Sequence, residues 1–297
     1  MNALEVDLQK GLETESLTPN EEPMLRMGPK KTKETERPVE ISEQQEEKLI
    51  DAVRQAGVLA MSIYAREFTV EEKNDKSPVT EADLLVDKVL SGALATLFPD
   101  IALVTEEQAD THHAKLDDRP FFLVDPIDGT KEFVKKTGEF TINIGLIENR
   151  TPTFGIVYAP AIDRMFVGSK SACEICDGER KPISVSGCDG AMRAVASRSH
   201  RNEPTNAFLS ANDIVETVSA GSSLKFCLLA AGEADVYPRF GPTMEWDTAA
   251  GHAVLLAAGG MVLLENGDSL LYSKPEFRNP NFIACSPDAR RKCGYAE

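Results

Sequence analysis

Four apolar residues, Phe121-Phe122-Leu123-Val124, run directly into Asp125-Pro126-Ile127-Asp128-Gly129-Thr130. An apolar run this short, bounded by turn residues, reads as a buried strand. Proline locks φ and offers no N–H to a ladder, so the strand is expected to end at Pro126. Past that end, both aspartates and the Ile127 carbonyl can converge on one point outside the sheet. Oxygen-only donors suit Mg²⁺, Mn²⁺ or Ca²⁺ and not a thiol-seeking metal. Gly129 lets a ligand approach the backbone closely, and Thr130 adds a hydroxyl and an N–H. Taken alone, the segment is equally compatible with an acid-decorated proline turn.

The rest of the chain narrows the choice. Its 297 residues suffice for one large domain or two lobes, and 42% apolar with 27% charged residues is an ordinary globular composition. A net charge of −16 disfavours binding to nucleic acid or to an anionic membrane. A phosphorylated small molecule is still acceptable if metals and a few local cations reverse the sign at the site. There is no apolar run of about 18 residues that could span a membrane, and the first residues lack a secretory or transit pattern. A cytoplasmic protein with reduced thiols is expected, since the six cysteines form no framework. Cys173-x-x-Cys176 has no second pair to complete a structural zinc site.

Residues 1–40 are polar and read as a solvated tail. Residues 41–188 form an expected N-terminal lobe, and 189–297 a C-terminal one, with a hinge at Gly187-Cys188-Asp189-Gly190. Ser42-x-x-Gln45 is a capping box that opens a helix expected to reach about Phe68. Thr80 is a good N-cap for the helix carrying Leu84, Leu85, Val89, Leu90, Leu94 and Leu97. Asp83 is then either a first-turn acid favoured by the helix dipole or a carboxylate held at a catalytic end. Ile101 to Val104 is a strand with Glu106 just beyond it, and His112-His113 reads as a solvated pair. Lys131 to Lys136 is expected to be a mobile loop. Alternating segments at 140–148, 153–158 and 164–168 predict an antiparallel meander. Further on, Gly221-Ser222-Ser223 is a phosphate-friendly helix start with Lys225 behind it. Arg239 follows in Tyr237-Pro238-Arg239-Phe240-Gly241-Pro242. Asp247 stands at the start of a later helix, where it serves as an N-cap.

Glu106, Asp125, Asp128 and Asp247 all fall at strand ends or helix starts, where open α/β sites are built. Four clustered acids repel one another, and bound Mg²⁺ removes that conflict. Asp125 to Thr130, Trp246-Asp247-Thr248-Ala249-Ala250-Gly251 and Thr105-Glu106-Glu107, in this order, resemble the lithium-sensitive, magnesium-dependent phosphatases related to inositol monophosphatase. Ser197-Arg198-Ser199-His200, Gly221 to Cys227 and Tyr237 to Thr243 are more closely similar to the bacterial-type 3′(2′),5′-bisphosphate nucleotidases of sulfate assimilation. The resemblance covers residues 42 to 284.

The resemblance implies an α/β (α+β) chain in a layered αβαβα sugar-phosphatase fold, with a metal site between two lobes. It implies hydrolysis of 3′-phosphoadenosine 5′-phosphate to AMP by direct attack of metal-activated water. Glu106, Asp125, the Ile127 carbonyl, Asp128 and Asp247 would hold two or three Mg²⁺ ions, with Mn²⁺ a substitute and Li⁺ and Ca²⁺ inhibitors. Gly129 and Thr130 would hold the scissile phosphate, while Asp83, Thr130 and Glu106 would position and deprotonate the water. His200, Ser222, Lys225 and Arg239 would serve a distal phosphate and the nucleoside, although Lys225 and Arg239 could equally be surface cations. The rival readings are an inositol monophosphate or polyphosphate 1-phosphatase and a non-catalytic nucleotide sensor. Monomer and homodimer both remain open.

Overall fold

The structure is a computed structural model, and it describes residues 38–72, 78–113, 116, 119–188, 190–196 and 202–295. Helix α1 (Glu43–Tyr64) opens on the capping box: Gln45 N–H donates to the Ser42 hydroxyl, and Ser42 N–H donates to the Gln45 side chain. It stops short of Phe68, because that ring leaves the helix to pack on Phe133. Strands β1 (Val70–Glu72) and β2 (Pro78–Thr80) pair as a separate ribbon before α2 (Glu81–Leu97). On α2 the buried face is Ala82, Asp83, Val86, Asp87, Leu90 and Leu94, whereas Leu84 and Leu85 point outward.

The large sheet takes β3 (Ala102–Thr105), β4 (Phe121–Asp128), β5 (Thr141–Glu148), β6 (Thr151–Ala159), β7 (Arg164–Gly168), β8 (Ala172–Cys176) and β9 (Glu179–Ile183) in sequence order. Only β3–β4 is parallel; the remainder is the expected meander. The strand does not end at Pro126. It continues to Asp128 through a register shift, with Asp125 opposite Asn143 and Asp128 opposite Thr141. One extra residue on β4 makes a bulge, which is how a strand absorbs a proline. Residues 131–136 are not a free loop either. Gly129, at φ 90°, caps the short helix α3 (Thr130–Val134), and Phe133 is buried among the rings of Tyr64, Phe68 and Phe140.

The second sheet has the order β11 (Glu216–Ser219), β10 (Arg193–Ala196), β12 (Val236–Arg239), β16 (Phe282–Cys285), β14 (Met261–Leu263). Around it lie α4 (Glu203–Ala211), α5 (Leu224–Ala230), α6 (Ala249–Ala257) and α7 (Pro287–Lys292), with β13 (Thr243–Met244) paired to β15 (Arg278–Asn279). Strand alternation sorts these into layers. Phe154, Ile156 and Tyr158 face α1 and α2, whereas Val157 and Ala159 face α5 and α6. Tyr237, Phe282 and Ala284 meet the same pair of helices from the other sheet, and Val236, Ile283 and Cys285 turn to α4 and α7. The result is the αβαβα stack. Among the described residues no helix is long and apolar enough to cross a membrane.

One contact in the middle layer sets how closely the stack can close. Gly145, Gly155 and Gly168 stand opposite one another on β5, β6 and β7, forming a row without side chains. Helix α6 lies in that row. A Cβ on Gly145 would come within 2.7 Å of Ala249 Cβ, and one on Gly155 within 2.9 Å of Ala253 Cβ and closer still to the Ala250 carbonyl oxygen. One on Gly168 would strike Val254 Cα. The obstacles are largely helix backbone, which cannot swing aside. Gly155→Ala is therefore expected to lower unfolding stability by about 1–3 kcal/mol. Gly92→Ala, on the exposed face of α2 with nothing near its Cβ, is expected to raise it by about 0.5–1 kcal/mol. Urea unfolding of both variants checks the contrast.

Candidate active site

The close approach brings the start of α6 to the end of β4. A cavity of about 650 Å³ opens there, lined by Glu106, Asp125, Ile127, Asp128, Gly129, Thr130, Ser222, Lys225, Arg239 and Asp247 among others. Ten of the twelve residues singled out from the sequence thus meet at one place. Asp83 lies beneath the lining, buried. His200 lies outside the described residues.

Four acids line the cavity. Burial pushes Asp125 well above the ordinary carboxylate range, and the neighbouring Glu106, Asp128 and Asp247 charges push it further. Asp247 is raised by burial, then by Asp128 and Glu106. Asp128 is raised by burial too, but Lys225 and hydrogen bonds from Ser223 oppose the rise. Asp125 Oδ1 is buried with no hydrogen-bond partner. Among the described residues, no three acid, histidine or cysteine side chains already stand as a finished ion cage. The donor chemistry nevertheless fits a hard divalent cation. It consists of oxygens only, in mutual repulsion, with one buried carboxylate oxygen left unpaired.

Two cations line the same cavity. Lys225 is buried, its Nζ donates to the Ser222 carbonyl at 2.7 Å, and it lies 5.4 Å from the Tyr237 ring centroid. Burial lowers its pKa to about 8, with Asp128 resisting and Arg239 adding to the fall. Arg239 donates through Nη2 to Pro242 O at 3.0 Å, and its Nε is buried without a partner. Neither is a loose surface cation.

The side chains around these charges are tied down. Ser222, itself at φ 51°, donates its hydroxyl to Asp128 O at 2.6 Å, so its proton is committed to holding the Gly129 turn. Ser223 N–H donates to Asp128 Oδ2 at 2.7 Å, and Ser223 Oγ donates to Asp247 O at 2.6 Å. Asn143 Nδ2 reaches Ser223 Oγ at 3.1 Å and Asp128 Oδ2 at 3.4 Å. Ser223 and Asn143 were missed in the sequence. The available signal was a polar residue at 143, on the face of β5 opposite Ile142 and Ile144 in an otherwise apolar strand.

Helix α2 supports two of the site's loops. Asp83 Oδ2 accepts from Thr80 N–H at 2.8 Å and Oγ1 at 2.6 Å, completing a capping box, while Oδ1 accepts from Thr130 Oγ1 at 3.2 Å. It is both first-turn acid and site neighbour. One turn on, Asp87 accepts from the Thr105 hydroxyl and from Gln108 Nε2, bracing the Glu106 turn. His112 is not a solvated residue. Its ring stacks on Trp246 at 4.7 Å, and its Nε2 meets the Thr105 carbonyl at 2.8 Å. Nor is Asp247 an N-cap. Thr248 holds that position, and Asp247 Oδ2 accepts from Met244 N–H at 2.8 Å. The helix start is instead fixed by buried polar groups. Tyr272 OH donates to Thr248 Oγ1 at 3.1 Å, Thr248 Oγ1 donates to Glu245 O at 3.2 Å, and His252 Nδ1 lies 3.1 Å from Tyr272 OH.

This fold and this arrangement of acids define a layered phosphatase of the sugar-phosphatase kind. The chain belongs to the inositol monophosphatase family, whose model matches residues 42–292. Within it, the chain is 43% identical over 241 residues to the 3′(2′),5′-bisphosphate nucleotidase CysQ of Salmonella typhimurium, covering 80% of this chain and 97% of that protein. It is 44% identical to the CysQ of Escherichia coli K12, covering 77% of this chain and 94% of the relative. The crystal structure of CysQ from Bacteroides thetaiotaomicron, a bacterial member of the inositol monophosphatase family, superposes with a TM-score of 0.68 at 34% identity, over 82% of this chain and 97% of that one.

Two outcomes follow from the electrostatics. Asp125→Asn removes a buried, repelled charge, so it is expected to raise the urea midpoint of the Mg²⁺-free protein at pH 8. The same variant is expected to lose Mg²⁺-dependent turnover by on the order of a hundredfold or more. Burial also depresses His252 to about 3 from its ordinary 6.5. Between those values the unfolded chain takes up a proton that the folded chain does not. Stability is therefore full above pH 6.5 and falls as pH drops, by about 2 kcal/mol from pH 7 to pH 5 for this group. Urea titrations at the two pH values should show a shallower loss in His252→Asn.

Proposed function

We propose that the protein hydrolyses 3′-phosphoadenosine 5′-phosphate to AMP and inorganic phosphate. The observation that carries this reading is that one cavity is lined both by Glu106, Asp125, Asp128 and Asp247 and by Lys225 and Arg239. A substrate with one phosphate needs only the acids and the cations they would hold. A bisphosphate also gives Lys225 and Arg239 a partner. The names of the CysQ relatives support the same substrate class.

Glu106, Asp125, the Ile127 carbonyl, Asp128 and Asp247 would hold Mg²⁺, which when bound lowers the pKa of water and neutralises developing charge on phosphoryl oxygens. The backbone N–H groups of Gly129 and Thr130 bind the scissile phosphate. Thr130 Oγ1, already donating toward Asp83 Oδ1 and Ile127 O at 3.2 Å, orients the attacking water through its free lone pair. As the water oxygen bonds to phosphorus, its proton passes to Thr130 Oγ1, which passes its own to Asp83 Oδ1. The bond from phosphorus to the 3′ oxygen breaks, and that oxygen takes a proton from solvent. Lys225 and Arg239 hold the 5′-phosphate, and Tyr237 and Asn202 line the same cavity. The two proposed lobes meet at this cavity, their boundary at residues 188–189 falling between β9 and β10. We place the enzyme in the cytoplasm and expect Li⁺ inhibition as in its family.

Phosphate release with Mg²⁺, comparing the nucleotide with inositol 1-phosphate, tests the assignment. Preference for the inositol ester would overturn it. Arg239→Ala is expected to raise KM for the nucleotide roughly tenfold or more, with little effect on a small monophosphate. Equal losses on both substrates would refute the distal phosphate site.

A further inference from the structure

We propose that His112 is a positioning residue that locks the two halves of the acidic cluster together for metal binding. The inference rests on the functional reading above. The halves come from different elements. Glu106 sits in the turn after β3, and Asp247 sits just before α6. Both carboxylates line one cavity, and like charges in one site repel until cations stand between them. The turn must therefore be tied to α6 by contacts that do not depend on the metal.

His112 supplies both links. Its Nε2 faces the Thr105 carbonyl at 2.8 Å. A carbonyl only accepts, so Nε2 carries the proton and donates. Its ring stacks on Trp246 with centroids 4.7 Å apart and 23° between planes. Thr105 and Trp246 are the immediate neighbours of Glu106 and Asp247. One side chain thus spans from the residue before one acid to the residue before the other. Phe277 closes the cluster, 5.9 Å from Trp246 and 6.3 Å from His112. The other side of the Glu106 turn is held by Glu106 N–H donating to Val124 O and by the Asp87 contacts with Thr105 and Gln108. Those contacts reach β4 and α2. Toward α6, Val104 shares an apolar cluster with Trp246 and Ala249, and the His112–Trp246 stack adds a tie directly beside the two acids.

Mg²⁺ titration of the full-length protein tests this, followed by calorimetry without substrate and by phosphate release with the nucleotide. His112→Ala is expected to raise the half-saturating Mg²⁺ concentration about tenfold in both readouts, equivalent to about 1.4 kcal/mol. At saturating Mg²⁺ its KM for the nucleotide should stay within about twofold of wild type. His112→Phe retains a ring against Trp246 but cannot donate to Thr105, and should fall between the two. Trp246 is the single tryptophan, so its fluorescence reports whether the stack persists in each variant. A His112→Ala protein whose melting temperature falls while its half-saturating Mg²⁺ stays within about twofold would overturn the inference and leave His112 merely structural. If His112→Ala does not fold, His112→Phe and His112→Gln decide. A shift of about threefold or more in either supports the lock, and none in both overturns it. A wild-type protein that takes up no Mg²⁺ and shows no Mg²⁺-dependent turnover would overturn the functional reading, and this inference with it.

Discussion

The structure depends on the seating of α6 in a row of three glycines. Gly145, Gly155 and Gly168 leave no side chains between strand backbone and helix backbone. Helix α6 therefore lies closer to the large sheet than ordinary side chains would permit. On its other side Gly251 admits the Phe226 ring, which an added Cβ would meet at 2.7 Å. The helix is thus fixed against both neighbours by close packing, whose tolerance is less than one methyl group. Asp247 precedes this helix, so the depth of the groove sets how near its carboxylate comes to those of β4. An acid cluster assembled from strand ends and a helix start needs this kind of rigid spacer.

The same spacer forces a cost onto the site. Asp125 is buried, Asp128 and Asp247 are half-buried beside it, and all three are held against their preference for solvent and separation. The scaffold supplies the restraint through polar contacts. Ser222 holds the Asp128 carbonyl, Ser223 bridges Asp128 and Asp247, and the Tyr272–Thr248–Glu245 chain fixes the helix start. Helix α2 adds two braces one turn apart, Asp83 beneath Thr130 and Asp87 beneath Thr105. Lys225, a buried cation beside Asp128, offsets only part of the repulsion.

Much of this was legible along the chain. The meander at 141–168, the capping box at Ser42, the N-cap at Thr80, and the acids at strand and helix ends were all local patterns with local causes. Several expectations failed where a distant partner intervened. Pro126 was tolerated because the strand could bulge. Residues 130–134 became helical, where Phe133 found an aromatic pocket made by Tyr64, Phe68 and Phe140. His112 was taken as solvated because Trp246, 134 positions later, could not be foreseen as its stacking partner. Asp247 lost its capping role to Thr248 because Met244 N–H claimed its carboxylate first. The family resemblance supplied roles that spacing alone left open, Asp83 above all.

What the sequence determined by itself was the alphabet of the site: which strands and helices form, and which oxygen donors and cations stand at their ends. These follow from periodicity, capping and backbone chemistry, all effects that act over a few residues. The tertiary structure decided which of those ends meet, and how closely. The glycine row, the Ser223 bridge and the His112–Trp246 stack join residues scores of positions apart. Their geometry depends on which faces the sheets and helices bury against one another, and no local pattern encodes it.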